Sequence, residues 1–342
     1  MFASARSAAA SGARHGLAIA CLSLVFAAEL SAQNRVRPVR PAHTYSIVAR
    51  DSVTGQLGVA VQSHWFSVGS MVQWAESGVG AVATQSFIEP SYGPLGLAMM
   101  QVGRSAAEAL EGLLAADPYP EVRQVGMVDA QGRTAVHTGN LAIAEACQRT
   151  GAGYTVQANL MMKNTVCDAM VRAYEQTDAD LAGRLMAALE AAQAEGGDIR
   201  GKQSAALLVV RGEPTGKPWA DRLFDLRIED HPEPIREMRR LLTVARAYRH
   251  MQAGDDYLTE GDIDRALEEY GRGEEILPDR SEPIFWHAVT LASVGRVDES
   301  LPLFEKAFEM FPDWRILVPR LPAAGLLPDD EELIRRIEAA GR

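Results

Sequence analysis

Four short apolar runs are packed between Thr44 and Phe87, and they constrain the fold more than any other feature of the chain. The first reads Thr44-Tyr-Ser-Ile-Val-Ala-Arg-Asp51 and the second Gln56-Leu-Gly-Val-Ala-Val-Gln-Ser-His64. Asp51-Ser-Val-Thr-Gly55 between them has hairpin chemistry: an Asp that caps its own turn and a Gly near the end. After a Gly/Ser loop the pattern resumes at Met71-Val-Gln-Trp74 and again from Val79 to Phe87. The runs are almost continuously apolar, as in strands covered on both faces. The sequence predicts a buried antiparallel sheet that opens on two hydroxyls, Thr44 and Ser46.

What precedes this sheet reads as an export signal. Arg6, Arg14 and His15 form a basic start, Leu17 to Ala28 is an apolar run too short to span a bilayer, and Ser31-Ala32 offers small residues for cleavage. A lipoprotein signal at Cys21 fits less well, because Ile19 stands where a small residue is usual and the apolar run continues past the cysteine. Residues 1–32 are expected to be a signal peptide, and 33–43, with Arg35, Pro38, Arg40 and Pro41, an extended tether. The expected location is the periplasm or beyond, with no membrane association after cleavage. Of the three cysteines, Cys147 and Cys167 remain in the body. Their spacing is not that of a zinc site, and both a disulfide in an oxidising compartment and two buried thiols are compatible with it.

Downstream, Pro90-Ser-Tyr-Gly-Pro94 marks a turn, and helices are predicted over Leu95–Val102 and from Ser105 to Ala116. The second opens with a capping box, Ser105 with Glu108. A hairpin follows, Arg123–Val128 and Arg133–His137, then a strand over Tyr154–Leu160. Helices over Thr165–Gln176 and Ala179–Glu195 lead to final strands at Ser204–Arg211 and Leu223–Glu229. This order predicts an α+β domain over residues 44–232. From residue 235 to 342 the chain is helical and repeats itself. Ile263 and Val297, Leu267 and Leu301, Tyr270 and Phe304, Pro278 and Pro312 all share the separation of Gly261 and Gly295. A period of about 34 residues with aromatic and terminal-proline positions matches tetratricopeptide (TPR) repeats. The helices expected at Ile235–Met251 and Asp330–Ala340 would cap the repeats or dock them on the first domain.

Thr44-Tyr-Ser-Ile-Val-Ala-Arg-Asp51, Gly80-Ala-Val-Ala-Thr-Gln-Ser86, Pro90-Ser-Tyr-Gly-Pro94, Gln157-Ala-Asn159 and Gln203-Ser-Ala-Ala-Leu-Leu-Val-Val210 together resemble the DUF1028 family. That family is assigned to the N-terminal-nucleophile (Ntn) hydrolase superfamily, so the resemblance implies an αββα sandwich and hydrolysis of an amide bond. It implies that a Thr, Ser or Cys becomes the first residue and that its own α-amine serves as base. Thr44 is the first candidate and Ser46 the second. Signal cleavage alone would leave residues 33–43 in front of Thr44, so a further cleavage is required. The sequence departs from the proteasome-like version, which places an Asp after the second strand's core and a Lys on the third strand. Gln62-Ser63-His64 and Gln73-Trp74 stand there instead.

Other candidate parts are His64 as acid/base group, the backbone of Gly80 and Ala81 as oxyanion donors, and the Asn159 side chain as a further donor. Each also has a purely structural reading, as a strand-end histidine or plain sheet construction. Glu89, Ser91 and Tyr92 would rim a pocket or simply stabilise a turn. Gly78-Val-Gly80-Ala-Val-Ala83 has the letters of a dinucleotide fingerprint but no helix opening after it. The histidines lack metal-ligand spacing. No cofactor or metal is therefore expected. With 34 Lys and Arg against 45 Asp and Glu, a net charge of −11, and no basic block interleaved with aromatics, nucleic acid is not an expected partner.

Two functions follow from this reading. One is an exported amide hydrolase acting on cell-wall peptide or an acylated amino acid, with Thr44 as nucleophile. The other is a sandwich that binds without catalysis while the repeats recruit a protein or peptide partner. A homo-oligomer is compatible with either.

Overall fold

A computed structural model describes residues 44–342, in which ten strands form two antiparallel sheets. The expected signal peptide and tether lie outside the described residues. The strands are β1 (Thr44–Arg50), β2 (Leu57–Ser63), β3 (Gln73–Glu76), β4 (Gly80–Ser86), β5 (Arg123–Asp129), β6 (Thr134–Thr138), β7 (Cys147–Gly151), β8 (Tyr154–Ala158), β9 (Ser204–Val210) and β10 (Arg222–Ile228). The larger sheet has the order β10-β9-β2-β1-β8-β7 and the smaller β3-β4-β5-β6. The turn between β1 and β2 is held as its sequence predicts, with Asp51 Oδ1 accepting from the N–H groups of Val53 (3.0 Å) and Thr54 (2.7 Å).

Side-chain alternation explains how the two sheets stack. Val48 of β1, Val59 and Val61 of β2, and Ala206 and Leu208 of β9 form one apolar cluster with Ala81 and Ala83 of β4. These are the inward faces. The opposite face of the larger sheet, with Tyr45, Ile47, Ala60 and Leu207, packs on helices α3 (Val166–Gln176) and α4 (Leu181–Ala194). The outer face of the smaller sheet, with Val82, Val125 and Met127, packs on α1 (Tyr92–Gln101) and α2 (Ala106–Ala116). The result is four layers: helix, sheet, sheet, helix. The Ser105 capping box at α2 forms, with both reciprocal hydrogen bonds.

Several expectations need correction. Helix α1 starts at Tyr92, inside the proline turn, since Pro94 falls in its first turn, where it disturbs no intrahelical bond. The third strand is Gln73–Glu76, displaced from Met71–Trp74 by the short 3₁₀ turn at Val68–Ser70. Strand β7 was not anticipated. It pairs only with β8, at the sheet edge, and its half-exposed Cys-Gln-Arg-Thr-Gly sequence carries no apolar signal. Cys147 on β7 and Cys167 on α3 form a disulfide.

A short irregular stretch joins the last strand to the helical region. Helix α5 runs unbroken from Pro234 to Glu260, past the end expected at Met251. Its first turns bury Ile235, Met238 and Leu242 in the cluster of the larger sheet. Its last turns pack beside α6 (Ile263–Ile276) through Met251, Ala266 and Tyr270. Helices α7 (Ser281–Ser293) and α8 (Val297–Met310) follow, then the short α9 (Trp314–Leu317) and α10 (Glu331–Ala339). The repeat is visible in the backbone: α6 and α8 are each 14 residues, and the helices before them end on Gly261 (φ 81°) and Gly295 (φ 84°). A left-handed C-cap of this kind favours glycine. Leu333 and Ile337 of α10 close the cluster around Phe304 and Phe308.

Candidate functional site

Between the two sheets, at the end where β1 begins, the apolar filling gives way to amides and hydroxyls. Thr44, Ser46, Ser63, Gln85, Gln124, Thr155, Gln157 and Asn159 are all fully buried there. Such a cluster is stable only when its members satisfy one another. Ser46 Oγ donates to Gln85 Oε1 (2.6 Å) and accepts from Gln157 Nε2 (2.7 Å). Gln85 Nε2 lies 3.0 Å from the Thr44 carbonyl oxygen and 2.7 Å from Gln124 Oε1. Gln124 Oε1 also accepts from Asn159 Nδ2 (2.8 Å), and Gln124 Nε2 reaches Thr138 Oγ1 (2.9 Å) and the Ala158 carbonyl (3.0 Å). Gln85 and Gln124 are thus the hubs that tie the smaller sheet to β1 and β8. Gly126 makes room for this: a Cβ there would stand 2.4 Å from Gln157 Oε1 and 2.5 Å from Thr155 Oγ1.

Thr44 is the first residue of β1 and faces inward. Its hydroxyl lies 3.4 Å from Ser63 Oγ on β2, its register partner. Its carbonyl accepts from the Asn159 backbone N–H (3.2 Å) as well as from Gln85. Of the residues the sequence singled out, the fold therefore joins Thr44, Ser46 and Asn159 in one network. It does not bring Gly80 to them. Gly80 opens β4 while Gln85 stands next to its end, about 17 Å away along the strand. A Cβ at Gly80 would strike Met100 of α1, so its lack of a side chain serves close packing against that helix. His64 also stands apart. It follows Ser63, and its backbone N–H donates to Asp198 Oδ2 (3.1 Å) in the loop after α4. Asp198 in turn pairs with Arg200 at 2.7 Å, and it adds to burial in pushing the Tyr45 hydroxyl well above its ordinary pKa. Tyr45 lies on the helix-covered face, so His64 belongs to that side and not to the network around Ser46. Glu89 and Ser91 form a local turn, with Glu89 Oε1 accepting from Ser91 N–H (3.2 Å). The Tyr92 hydroxyl donates to Asp117 Oδ2 (3.0 Å), which also pairs with Arg123.

Backbone strain concentrates at this end of the sandwich. Ser67 (φ 56°), Ser86 (φ 71°) and Leu160 (φ 56°) are the non-glycine residues with positive φ among the described residues. Ser86 is next to Gln85, Leu160 next to Asn159, and Ser67 follows β2. Residues held this way cluster at functional sites, because surrounding structure must compensate a cost of about 1–3 kcal/mol each. Buried polar atoms without partners occur here too: both amide atoms of Gln73, both of Gln62, and Ser86 Oγ. Gln73 is 5% exposed and pairs with Ala83, two residues before Gln85, so its amide shares the inward face with the network.

Sequence reasoning missed Gln85 and Gln124 as hubs. A signal was present: each is a polar residue at the inward parity of an otherwise apolar strand, Gln85 in step with Ala81 and Ala83. The groups bonded to Ser46 are amides, which donate and accept hydrogen bonds but do not take up a proton near neutral pH. No group of three or more His, Cys, Asp or Glu side chains able to hold a metal ion occurs among the described residues, and none of their helices is long and apolar enough to cross a membrane.

No curated protein matches the chain. Among solved structures, it is similar to the crystal structure of protein SPO2555 from Silicibacter pomeroyi, attributed to DUF1028, at 29% identity and a TM-score of 0.54. The match spans 60% of this chain and 89% of that one. The family of unknown function DUF1028 matches residues 44–238, which takes in the whole sandwich and the first turn of α5; the chain belongs to that family.

Proposed function

We propose that the sandwich is an exported Ntn-type amide hydrolase whose nucleophile is Thr44, created by cleavage of the bond between residues 43 and 44. The observation that carries this reading is the position of Thr44: first residue of one of the two central strands of the larger sheet, facing the inter-sheet network, its carbonyl bridged to the smaller sheet by Gln85. The helix-sheet-sheet-helix order and the strained residues on either side of the network support it. The Cys147–Cys167 disulfide supports export, since disulfides persist in oxidising compartments.

In this mechanism the Thr44 hydroxyl attacks the substrate's amide carbonyl, and its proton passes to the Thr44 α-amine. The C–N bond then breaks as the α-ammonium returns that proton to the departing amine. Water attacks the resulting ester, the α-amine takes its proton, and the acid leaves with the hydroxyl restored. Because the side chains around Ser46 are neutral amides, the base must come from the chain terminus itself. Asn159 is assigned as the side-chain donor to the oxyanion, with Gly80 removed from that role by its distance. The substrate class is a peptide or acyl-amino-acid amide.

The test is chemical trapping. A β-lactone acylates an activated threonine hydroxyl, so the mature protein should gain the probe's mass at Thr44, and Thr44→Ala should not. A mature protein left unmodified would count against the nucleophile.

A second reading has its own support. The amides bonded to Ser46 and the full burial of Thr44 suit a sandwich that binds rather than cuts, with the 34-residue helical repeats acting as TPR-like units toward a protein partner.

A further inference from the structure

A cavity of about 480 Å³ opens in the helical region, away from the inter-sheet network. Two helix faces line it. On α5 the lining residues include Tyr248, Met251, Asp255 and Leu258, spaced three and four apart and so on one side of the helix. On α7 they include Glu282, Trp286 and Val289 at the same spacing, and Tyr270 of α6 and Leu326 also line it. The charged members of the lining are Asp255 and Glu282, and no Lys, Arg or His belongs to it.

Both carboxylates are oriented by tyrosines. The Tyr270 hydroxyl donates to Asp255 and the Tyr248 hydroxyl to Glu282. Neither carboxylate is in an ion pair among the described residues, although Asp and Glu elsewhere in this region, such as Glu269, Glu274 and Glu299, are paired. Arg280 stands near the Tyr248 hydroxyl but outside the lining. Two carboxylates outside any ion pair, Asp255 with no basic residue in the lining beside it and Glu282 with Arg280 beyond its tyrosine, stand among tyrosine and tryptophan rings and form a receptor for a cation with a flat or apolar body.

We propose that this cavity takes the arginine side chain of an extended peptide. The guanidinium is planar and weakly hydrated, pairs with carboxylates through parallel N–H donors, and stacks on aromatic faces. The cavity offers both elements, carboxylates from two helices and the half-buried Trp286 one turn after Glu282 on α7. Its lining runs from Tyr248 to Leu258 on α5 and from Glu282 to Ser293 on α7, about 15 Å of each helix, which suits a peptide laid along them more than a compact ligand. This site is independent of the sandwich and of any reaction there.

The test is calorimetry on the full mature chain at low salt with the blocked peptide Ala-Ala-Arg-Ala-Ala and its citrulline counterpart, which keeps shape and loses charge. The arginine peptide should bind at least about tenfold more tightly than the citrulline peptide. Asp255→Asn combined with Glu282→Gln, which keeps both hydrogen-bond acceptors for the tyrosines, should abolish that preference. Equal binding of the two peptides, a preference that survives in the double variant, or no binding of the arginine peptide at millimolar concentration would each overturn the proposal. Ethylguanidinium alone binding as tightly as the peptide would overturn the assignment to a peptide. The comparison of the two peptides on the unmodified protein needs no variant to fold.

Discussion

Gln85 of the smaller sheet reaches across the sandwich to the main-chain carbonyl of Thr44 in the larger one, with Nε2 at 3.0 Å from the oxygen. The same side chain accepts from Ser46 and bridges to Gln124, so one amide fixes the start of β1, the point from which the proposed chemistry departs.

Replacing that amide tests its structural weight. Gln85→Leu fills similar volume but leaves the Ser46 hydroxyl and the Thr44 carbonyl with fewer partners in a fully buried setting. Each unsatisfied buried group costs about 1–3 kcal/mol, and the expected loss in urea denaturation is about 3 kcal/mol. A loss under about 1 kcal/mol would mean that the network is not a tie between sheets.

Gly126→Ala probes the same interior from β5. The added Cβ would lie within 2.5 Å of Thr155 Oγ1 and 2.4 Å of Gln157 Oε1, both on the facing sheet. Overpacking of this kind costs about 1–3 kcal/mol. The variant should melt earlier than the parent, and Gly271→Ala, on a helix with the nearest atom to the new Cβ at 3.9 Å, should not.

The disulfide between Cys147 and Cys167 closes a loop over a sequence separation of 20. Cross-links of that span stabilise by about 3 kcal/mol through loss of freedom in the unfolded chain. Denaturation of Cys147→Ser with Cys167→Ser should show a loss of that order, and thiol titration of the unfolded, unreduced protein should find neither cysteine free. Detection of both thiols would contradict the pairing.

Acid should weaken the outer layer at α2 through Asp117. Burial pushes the Asp117 carboxyl up, but the Arg123 guanidinium at 2.6 Å, the Tyr119 N–H and the Tyr92 hydroxyl outweigh it and hold its pKa below the usual range. A carboxyl depressed in the folded state stabilises fully above the ordinary aspartate value, about 3.9, and that contribution is lost as pH falls through the lower folded value. Removing one partner of a pair whose side chains are each 4% exposed costs about 3–5 kcal/mol. Asp117→Asn should therefore cost about that much at pH 7 and flatten the acid limb of the stability profile. An unchanged acid limb would assign the acid sensitivity to other carboxylates.

How much of this was legible in the sequence varies with how each element makes its signal. Strands β1, β2, β4 and β9 announce themselves because both faces are buried and their apolar runs are unbroken. Strand β7 does not, because it pairs on one side only and is half exposed. The 34-residue period is visible as pairs of residues and returns as two 14-residue helices ending the same distance apart. His231-Pro232-Glu-Pro234 reads as a break and is one: α5 starts at Pro234, in a first turn where proline is well tolerated, and what the sequence did not show is its run past Met251 to Glu260. Within the candidate site, Thr44 and Asn159 were found through sequence resemblance, but Gln85 and Gln124 were not. A lone glutamine in a strand has the same letter whether it faces water or the partner sheet, and only the register of the second sheet decides. Gly80 misled for the converse reason: its letter signals close approach, and the approach proved to be that of Met100.

The central claim is that the working chain begins at Thr44. The most direct measurement is the N-terminus and intact mass of the protein recovered from its native compartment. The expected result is a chain starting at Thr44, with a free α-amine beside the hydroxyl, and accumulation of the longer form in Thr44→Ala if the cleavage is its own. A uniform start near Gln33 would leave the mechanism without its base and contradict the account.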